Sequence, residues 1–240
     1  QILTIKSIIN HCKNDFNICL IDDNSFNDIL PNWKINLTEL ANPMKTRLRN
    51  LALSTLLSIY GGFIVPSSFI CLQSLKPIYN NILKDNEMGV GDFVNRTNSN
   101  QKIEQNLFPY SYFMAALPKS KIILEFIKFQ EILYSTNFTS EIEFLGITNK
   151  WLFDNVDKKK IYLIDGKNIG TKDDDDNAVL IENLLASTPI EFNKKLYGIY
   201  IPWDELIFRT HYNWFVYLDK KKVLESNTNI GSYLLISNNI

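Results

Sequence analysis

The stretch from Asn42 to Cys71 (NPMKTRLRNLALSTLLSIYGGFIVPSSFIC) constrains the fold of this chain more than any other. Its first half has apolar residues at helical spacing, namely Leu48, Leu51, Ala52, Thr55, Leu56 and Ile59. Gly61 and Gly62 then allow the backbone to leave the helix, and residues 63–65 form a short apolar run that Pro66 ends. An amphipathic helix that leads directly into a buried strand is half of an α/β unit. Such folds place ligands where strands end, which here means Pro66, Ser67 and Ser68.

The same stretch carries a resemblance to a known family. Residues 47–69 resemble the sugar-binding region of GT-A glycosyltransferases of family 32 and related capsular-polysaccharide or mannosyl-transfer proteins of microbes and giant viruses. Tyr60, Gly61 and Gly62 match the family's YGG motif. The resemblance implies an α/β, GT-A-like Rossmann-type fold with a mixed, mainly parallel sheet flanked by helices. It also implies transfer of a sugar from a UDP- or GDP-sugar donor to a glycan or glycoprotein acceptor.

The chain departs from the family at its charged positions. The two acids of the family's D-x-D motif fall on Pro66 and Ser68, and its D-x-x-R motif falls on Asn50 and Leu53. Proline and serine cannot hold Mn²⁺ or Mg²⁺ as a pair of carboxylates does. We therefore assign no metal ligand, and the sequence leaves open whether a divalent metal takes part.

An aspartate pair follows an apolar run near the start of the chain. Residues 17–21 (NICLI) predict a buried parallel strand, and Asp22 and Asp23 come directly after it. Carboxylates at such a strand end line the ligand crevice of an open α/β sheet. The alternative is a turn in which this Asp-Asp-Asn-Ser segment caps the next helix. In the first interpretation, the two acids partly replace the lost D-x-D pair.

One arginine of the predicted helix stands apart from its polar residues. Helical spacing places Arg49 on the apolar side of the helix. The same spacing gives a polar strip formed by Arg47, Asn50, Ser54 and Ser58. A buried arginine is costly unless an anion compensates its charge. We therefore expect Arg49 to pair with Asp22 or Asp23, or to bind a diphosphate, and in both cases to lie beside the site.

A second-rank candidate is Asp92, in the predicted glycine-interrupted strand 88–95. Glycine inside a strand often marks the close approach of a ligand. The candidate catalytic residues are thus Asp22, Asp23 and Arg49. The candidate donor-binding residues are these three with Tyr60, Gly61, Gly62, Pro66, Ser67, Ser68 and Asp92.

Composition limits the partners of the chain. Its formal net charge of −1 provides no general basic surface for nucleic acid. No apolar run reaches the length of a transmembrane helix. We expect a cytoplasmic protein, with the Golgi lumen as the alternative if an N-terminal anchor is missing.

The chain divides into no obvious halves, so we predict one domain over residues 1–240. Its last part, 161–240, changes to short strands and turns and is predicted to be a C-terminal addition. Residues 2–12 predict an opening helix, and the family resemblance implies a strand before it that this sequence does not contain.

Two functions from different classes remain. One is a glycosyltransferase with an atypical donor site that lacks the D-x-D motif. The other is a catalytically inactive descendant that binds sugars or a partner on the same scaffold. The lost acids favour the second function, whereas the YGG motif, the aspartate pair and Arg49 favour the first.

Overall fold

The structure is a computed structural model that describes residues 1–93, 109–136 and 141–239, without the side chains of residues 141–145. The polar composition of residues 95–105 predicts a loop, and Ser140 begins a predicted helix capping box, but residues 95–105 and Ser140 lie outside this description. Its helices are α1 (Ile2–Cys12), α2 (Phe26–Ile29), α3 (Met44–Tyr60), α4 (Lys76–Asp85), α5 (Lys121–Thr136), α6 (Glu141–Asp157), α7 (Gly166–Ile169), α8 (Ile181–Leu185), α9 (Trp203–Phe208), α10 (Lys220–Glu225) and α11 (Asn229–Asn238). Its strands are β1 (Gly62–Ile64), β2 (Phe69–Cys71), β3 (Met88–Asp92), β4 (Pro109–Ala116), β5 (Tyr162–Ile164) and β6 (Gly198–Tyr200).

The strands form a mixed main sheet and a small second sheet. In the main sheet the order is β1-β4-β3-β5, and β2 pairs with β6 in the second. The predicted α/β class is therefore confirmed at this level. The expectation of a mainly parallel sheet is wrong for the described part, where β4 runs antiparallel to both neighbours and only β3 and β5 pair in parallel. The cause is that β4 returns between β3 and β1, so it opposes both.

The predicted strand at residues 17–21 does not form. These residues have no ladder partner among the described strands, and Leu20 is 67% exposed. An apolar run becomes a strand only when a neighbour accepts its backbone hydrogen bonds. Here α1 ends at Cys12, and the chain crosses the surface in an extended form before α2.

Alternating side chains of the main sheet build two apolar layers. On one face, Met88, Val90 and Met114 pack with residues of α5 and α6, such as Phe126 and Leu152. On the other face, Phe113 and Ala115 of β4 and Ile164 of β5 pack with Ile78 and Ile82 of α4. The sheet is thus covered on both faces, as expected for an α/β arrangement.

The C-terminal part shares a core with the start of the chain. Leu3 of α1 and Ile70 of β2 cluster with Val179, Ile199 and Leu234, which come from residues 161–240. The pairing of β2 with β6 joins the same two regions. The C-terminal segment therefore completes the packing around α1 and β2. The expectation that it consists of short strands and turns is wrong, because its described residues form the helices α7 to α11 and only the strands β5 and β6. Periodicity alone does not distinguish a short buried helix from a strand.

Within the described residues, every helix is too short or too polar to cross a bilayer.

Candidate functional site

The strand directions bring several chain segments to one edge of the main sheet. Strands β1, β3 and β5 run the same way, because β1 and β3 both oppose β4 and β5 is parallel to β3. At the same edge of the sheet, β1 is followed by the segment 66–68, β3 ends at Asp92 and β5 is followed by Asp165. Strand β4 begins there with Pro109 and Tyr110. This is the edge at which ligand crevices form in α/β folds, and we call it the carboxyl edge.

An ion cluster joins the first turns of α3 to the loop before α2. Arg49 donates from Nε and from an Nη atom to the two carboxylate oxygens of Asp23, each at 2.7 Å. Lys45 Nζ lies 3.1 Å from the same carboxylate. Hydrogen bonds from Arg49, and then from Lys45, hold the pKa of Asp23 below its usual value. Two cations therefore share one acid.

The first turns of α3 lie toward the carboxyl edge. Near the end of α3, the carbonyl of Ser58 accepts from the N–H of Lys119 at 2.7 Å, just beyond the end of β4 at the opposite edge of the sheet. The hydrogen bond to Asp23 is the main cause that raises the pKa of Arg49. The structure thus brings Asp23 and Arg49 together, as one of the two sequence interpretations expected.

The expectation that Arg49 lies buried on the apolar side of α3 is wrong. Its side chain is 39% exposed, whereas Arg47, which the sequence placed on a polar strip, is only 1% exposed. The other members of that strip, Asn50, Ser54 and Ser58, are buried as well. The reason is that α3 is covered on two sides, since it packs on α5 as well as on the layer around Phe26 and Leu37.

Asp22 has a local role. Its carboxylate accepts hydrogen bonds from the backbone N–H groups of Asn24 and Ser25 at 3.0 and 2.9 Å and from the Ser25 hydroxyl at 2.6 Å. These bonds, those of Ser25 first, lower the pKa of Asp22. This is the turn that the second sequence interpretation expected for the aspartate pair, and Asp22 does not join the ion cluster.

The YGG residues shape the chain reversal between α3 and β1. The Tyr60 ring is 59% exposed, and its hydroxyl donates to the carbonyl of Ile29 at 2.8 Å. Gly61 has φ +66° and Gly62 has φ +101°, and residues other than glycine rarely adopt such backbone angles. The Gly62 N–H donates to the hydroxyl of Tyr79 at 3.3 Å. All three residues thus have a structural role in the turn.

The segment at the D-x-D positions is tied to its neighbours by its backbone. The Ser67 carbonyl accepts from the Thr4 hydroxyl at 2.5 Å, and the Ser68 carbonyl accepts from the N–H of Ile201 at 3.1 Å. The Pro66 carbonyl accepts from the N–H of Phe69 at 3.0 Å. Ser67 is exposed and Ser68 is buried, so Ser67 is the serine of this pair that lies at the surface.

Asp92 has a buried ion partner. Its carboxylate lies 2.6 Å from Lys172 Nζ, and its backbone carbonyl accepts from the Thr171 hydroxyl at 2.6 Å. At 2% exposure, this acid binds the end of β3 to the segment after α7. Asp92 is the last residue of β3, at the carboxyl edge, rather than in the middle of the strand as the sequence predicted, and its contacts give it a structural role.

Sequence reasoning missed an aromatic cluster at the same edge. Ring centroids of Tyr110 and Tyr112 lie 4.4 Å apart, and Phe93 lies 5.2 Å from Tyr110 and 4.5 Å from Tyr200. Burial is the main cause that raises the pKa of Tyr110. The signal was present in the sequence, because Tyr110 and Tyr112 are two apart and such residues share a face when the chain forms a strand.

The donor atoms at the D-x-D positions do not fit a divalent metal. Pro66 has no side-chain oxygen, and the carboxylates of Asp22 and Asp23 already accept the hydrogen bonds described above. Among the described residues, no three side chains of His, Cys, Asp or Glu are grouped as metal ligands. We therefore derive no step through a metal ion.

No protein-family model, curated protein or solved structure matches this chain. The resemblance to GT-A glycosyltransferases thus remains a prediction from residues 47–69.

Proposed function

We propose that this protein is a glycosyltransferase that binds a nucleotide sugar at the carboxyl edge without a D-x-D metal site. The observation that supports this most is the cluster in which Lys45 and Arg49 share the single carboxylate of Asp23. The formal charges sum to one positive charge, on groups that are partly open to solvent. A diphosphate is the anion that such a site suits.

The direction of α3 adds to this positive potential. The cations lie in its first two turns, where the helix dipole is also positive. During transfer, the bond between the sugar and the β-phosphate breaks, and negative charge builds up on the diphosphate. Arg49 and Lys45 would stabilise that charge, which is the role that a metal ion has in many such enzymes.

The aromatic cluster provides a surface for the base. Tyr110 and Tyr112 lie at the start of β4, at the edge of the sheet toward which the first turns of α3 lie. Tyrosine rings stack on heterocycles and also present a hydroxyl. We place the base near these rings, the diphosphate at Arg49 and Lys45, and the sugar toward Ser67.

One observation favours the second function, a non-catalytic sugar- or partner-binding protein. The candidate acids at this edge have structural partners, since Asp22 holds a turn, Asp23 binds Arg49 and Asp92 binds Lys172. An inactive descendant would retain such contacts and lose acids that serve chemistry alone.

Calorimetry with UDP-glucose and GDP-mannose, with and without Mn²⁺, tests the proposal. We expect one of these donors to bind equally well with and without the metal. Arg49→Ala should weaken that binding about ten-fold or more, because charge-assisted hydrogen bonds contribute roughly 1.5–3 kcal/mol.

Arg209→Ala is the matched control. Arg209 is also about half exposed and also pairs with acids, Glu182 and Glu205, but it lies in the C-terminal part. Its loss should leave the affinity unchanged. Binding that requires Mn²⁺ would contradict the proposed site, and glycan binding without nucleotide-sugar binding would favour the second function.

A further inference from the structure

A cavity of about 220 Å³ lies beside β5, at the opposite end of the main sheet from β1. Its apolar part comes from Ile78 of α4 and Ile164 of β5, which belong to the core layer on that face. The volume is sufficient for one six-membered sugar ring. Two strands separate β5 from β1, so this cavity is distinct from the ion cluster of α3.

The polar wall of the cavity contains several side chains that bond to no other side chain or backbone group among the described residues. It is formed by Asn81, Tyr162, Asn168, Lys195 and Tyr197. None of these side chains makes a hydrogen bond or an ion pair with any other residue of the structure, as far as the described ranges extend. Two amides, two phenols and one ammonium group thus have their hydrogen-bonding capacity available for a ligand.

The backbone behind these groups is held in place. The N–H of Tyr197 donates to the carbonyl of Asn168 at 2.8 Å, which joins two walls of the cavity. The Tyr197 carbonyl accepts from the N–H groups of Leu72 and Gln73 at 2.9 and 3.2 Å. The amide of Gln73 donates to the carbonyl of Leu196 at 2.8 Å. A wall fixed in this way can bind a small ligand without first becoming ordered.

We propose that this cavity binds a single pyranose residue of a glycan. Its polar groups come from four separate segments, namely α4, β5, α7 and the residues before β6, which suits a ring that carries hydroxyls around its whole perimeter. Asparagine can donate to one hydroxyl and accept from the next, and tyrosine rings pack against the apolar face of a sugar. The lining contains no carboxylate and includes Lys195, so the ligand is neutral or anionic. This proposal does not depend on nucleotide-sugar binding at α3.

The test is ligand-observed NMR on the whole chain, with methyl pyranosides of glucose, galactose, mannose and N-acetylglucosamine and with methyl glucuronide. Each is added singly at about 10 mM, a range suited to weak binding. We expect saturation transfer to at least one pyranoside. Asn81→Ala should weaken its affinity roughly five-fold through the lost hydrogen bond. Lys195→Ala should weaken the glucuronide more than the neutral sugars.

The chain provides neighbouring control residues. Asn80 and Lys194 are exposed residues adjacent to Asn81 and Lys195, and neither lines the cavity. Asn80→Ala and Lys194→Ala should therefore bind sugars as the wild type does. Since all four positions are exposed, these variants should fold normally. The proposal fails if no pyranoside binds or if Asn80→Ala and Asn81→Ala are equivalent.

Discussion

At the scale of the residue, Asp23 shows how a single acid can organise two cations. Its carboxylate binds Arg49 through two parallel hydrogen bonds and also contacts Lys45. The guanidinium has a planar donor pair that matches a carboxylate, so this geometry fixes the arginine more strongly than a lysine could be fixed. Because the cluster is partly exposed, water and salt screen much of its energy.

The ion pair should contribute to stability only when Asp23 is ionised. Its pKa is lowered in the folded protein, so the contribution is present above the ordinary aspartate pKa near 4 and is lost as the pH falls through the lower folded value. A double-mutant cycle of Asp23→Ala and Arg49→Ala, measured by urea unfolding, should give a coupling of about 1 kcal/mol at pH 7.

The same cycle at pH 2.5 should give a much smaller coupling. A second cycle on Lys221 and Glu225, an exposed pair 3.8 Å apart in α10, should show almost none at either pH. An equal coupling of Asp23 and Arg49 at both pH values would show that the contact is not ionic.

At the scale of the element, the junction between α3 and β1 decides which segments meet at the carboxyl edge. Gly61 lies between the last residue of the helix and the first of the strand. Its N–H donates to the carbonyl of Leu57 at 2.9 Å, which completes the helix end. Its positive φ turns the chain so that α3 packs on β1 and β4. This reversal sets the direction of α3. It therefore also sets the position of the N-terminal half of the helix, which carries Lys45 and Arg49 of the ion cluster.

The two glycines of this junction should respond differently to alanine. A Cβ on Gly61 would lie 2.7 Å from Cδ of Pro118, whereas one on Gly62 would meet nothing within 4 Å. Both substitutions place alanine at positive φ, in backbone regions that other residues rarely adopt, which costs about 1–3 kcal/mol. Gly61→Ala adds a steric clash with a proline ring, so we expect it to destabilise the fold by about 1 kcal/mol or more beyond Gly62→Ala.

Urea unfolding of the two single variants measures this difference directly. Each glycine serves as the control for the other, since both have positive φ and only Gly61 has a neighbour close to the added Cβ. Equal losses of unfolding free energy would mean that Pro118 moves away without cost.

At the scale of the whole molecule, the described contacts connect the start, middle and end of the chain. Helix α1 packs on β2 and on α11, and β2 pairs with β6. The thiols of Cys12 and Cys71 meet in the interior, with their sulfur atoms 3.7 Å apart. The strands of the main sheet and the C-terminal core thus share the α1–β2 region, which predicts that residues 1–240 unfold as one unit.

Tryptophan fluorescence can test this cooperativity, because the four tryptophans divide between the two regions. Trp33 and Trp151 report on the first part, and Trp203 and Trp214 report on residues 161–240. One variant keeps only the first pair of tryptophans, and a second variant keeps only the second pair. In each variant, the unfolding midpoint measured by fluorescence should equal the midpoint measured by circular dichroism. Separate fluorescence and circular-dichroism midpoints in either variant would show two independently folding domains.

Local pattern was sufficient to predict the elements around α3, but it missed the helices α7 to α11. The helical spacing in α3, the glycine stop and the short strand β1 are all present, as are the predicted opening helix α1 and the start of the predicted strand 88–95 in β3. These features follow from backbone preferences and from side chains close in sequence, which the chain encodes locally. The pairing of Asp23 with Arg49 was also one of two expected outcomes, because a charge near an apolar surface requires a partner.

Tertiary structure alone decided which polar residues became buried and which strands ran in parallel. The sequence placed Arg47 on a polar strip, yet this arginine is buried where α3 packs on α5, and no local pattern reveals what packs on the second side of a helix. Residues 17–21 had the composition of a strand but pair with none of the described strands. Burial and strand pairing depend on distant segments, so they are properties of the assembled fold rather than of any stretch within it.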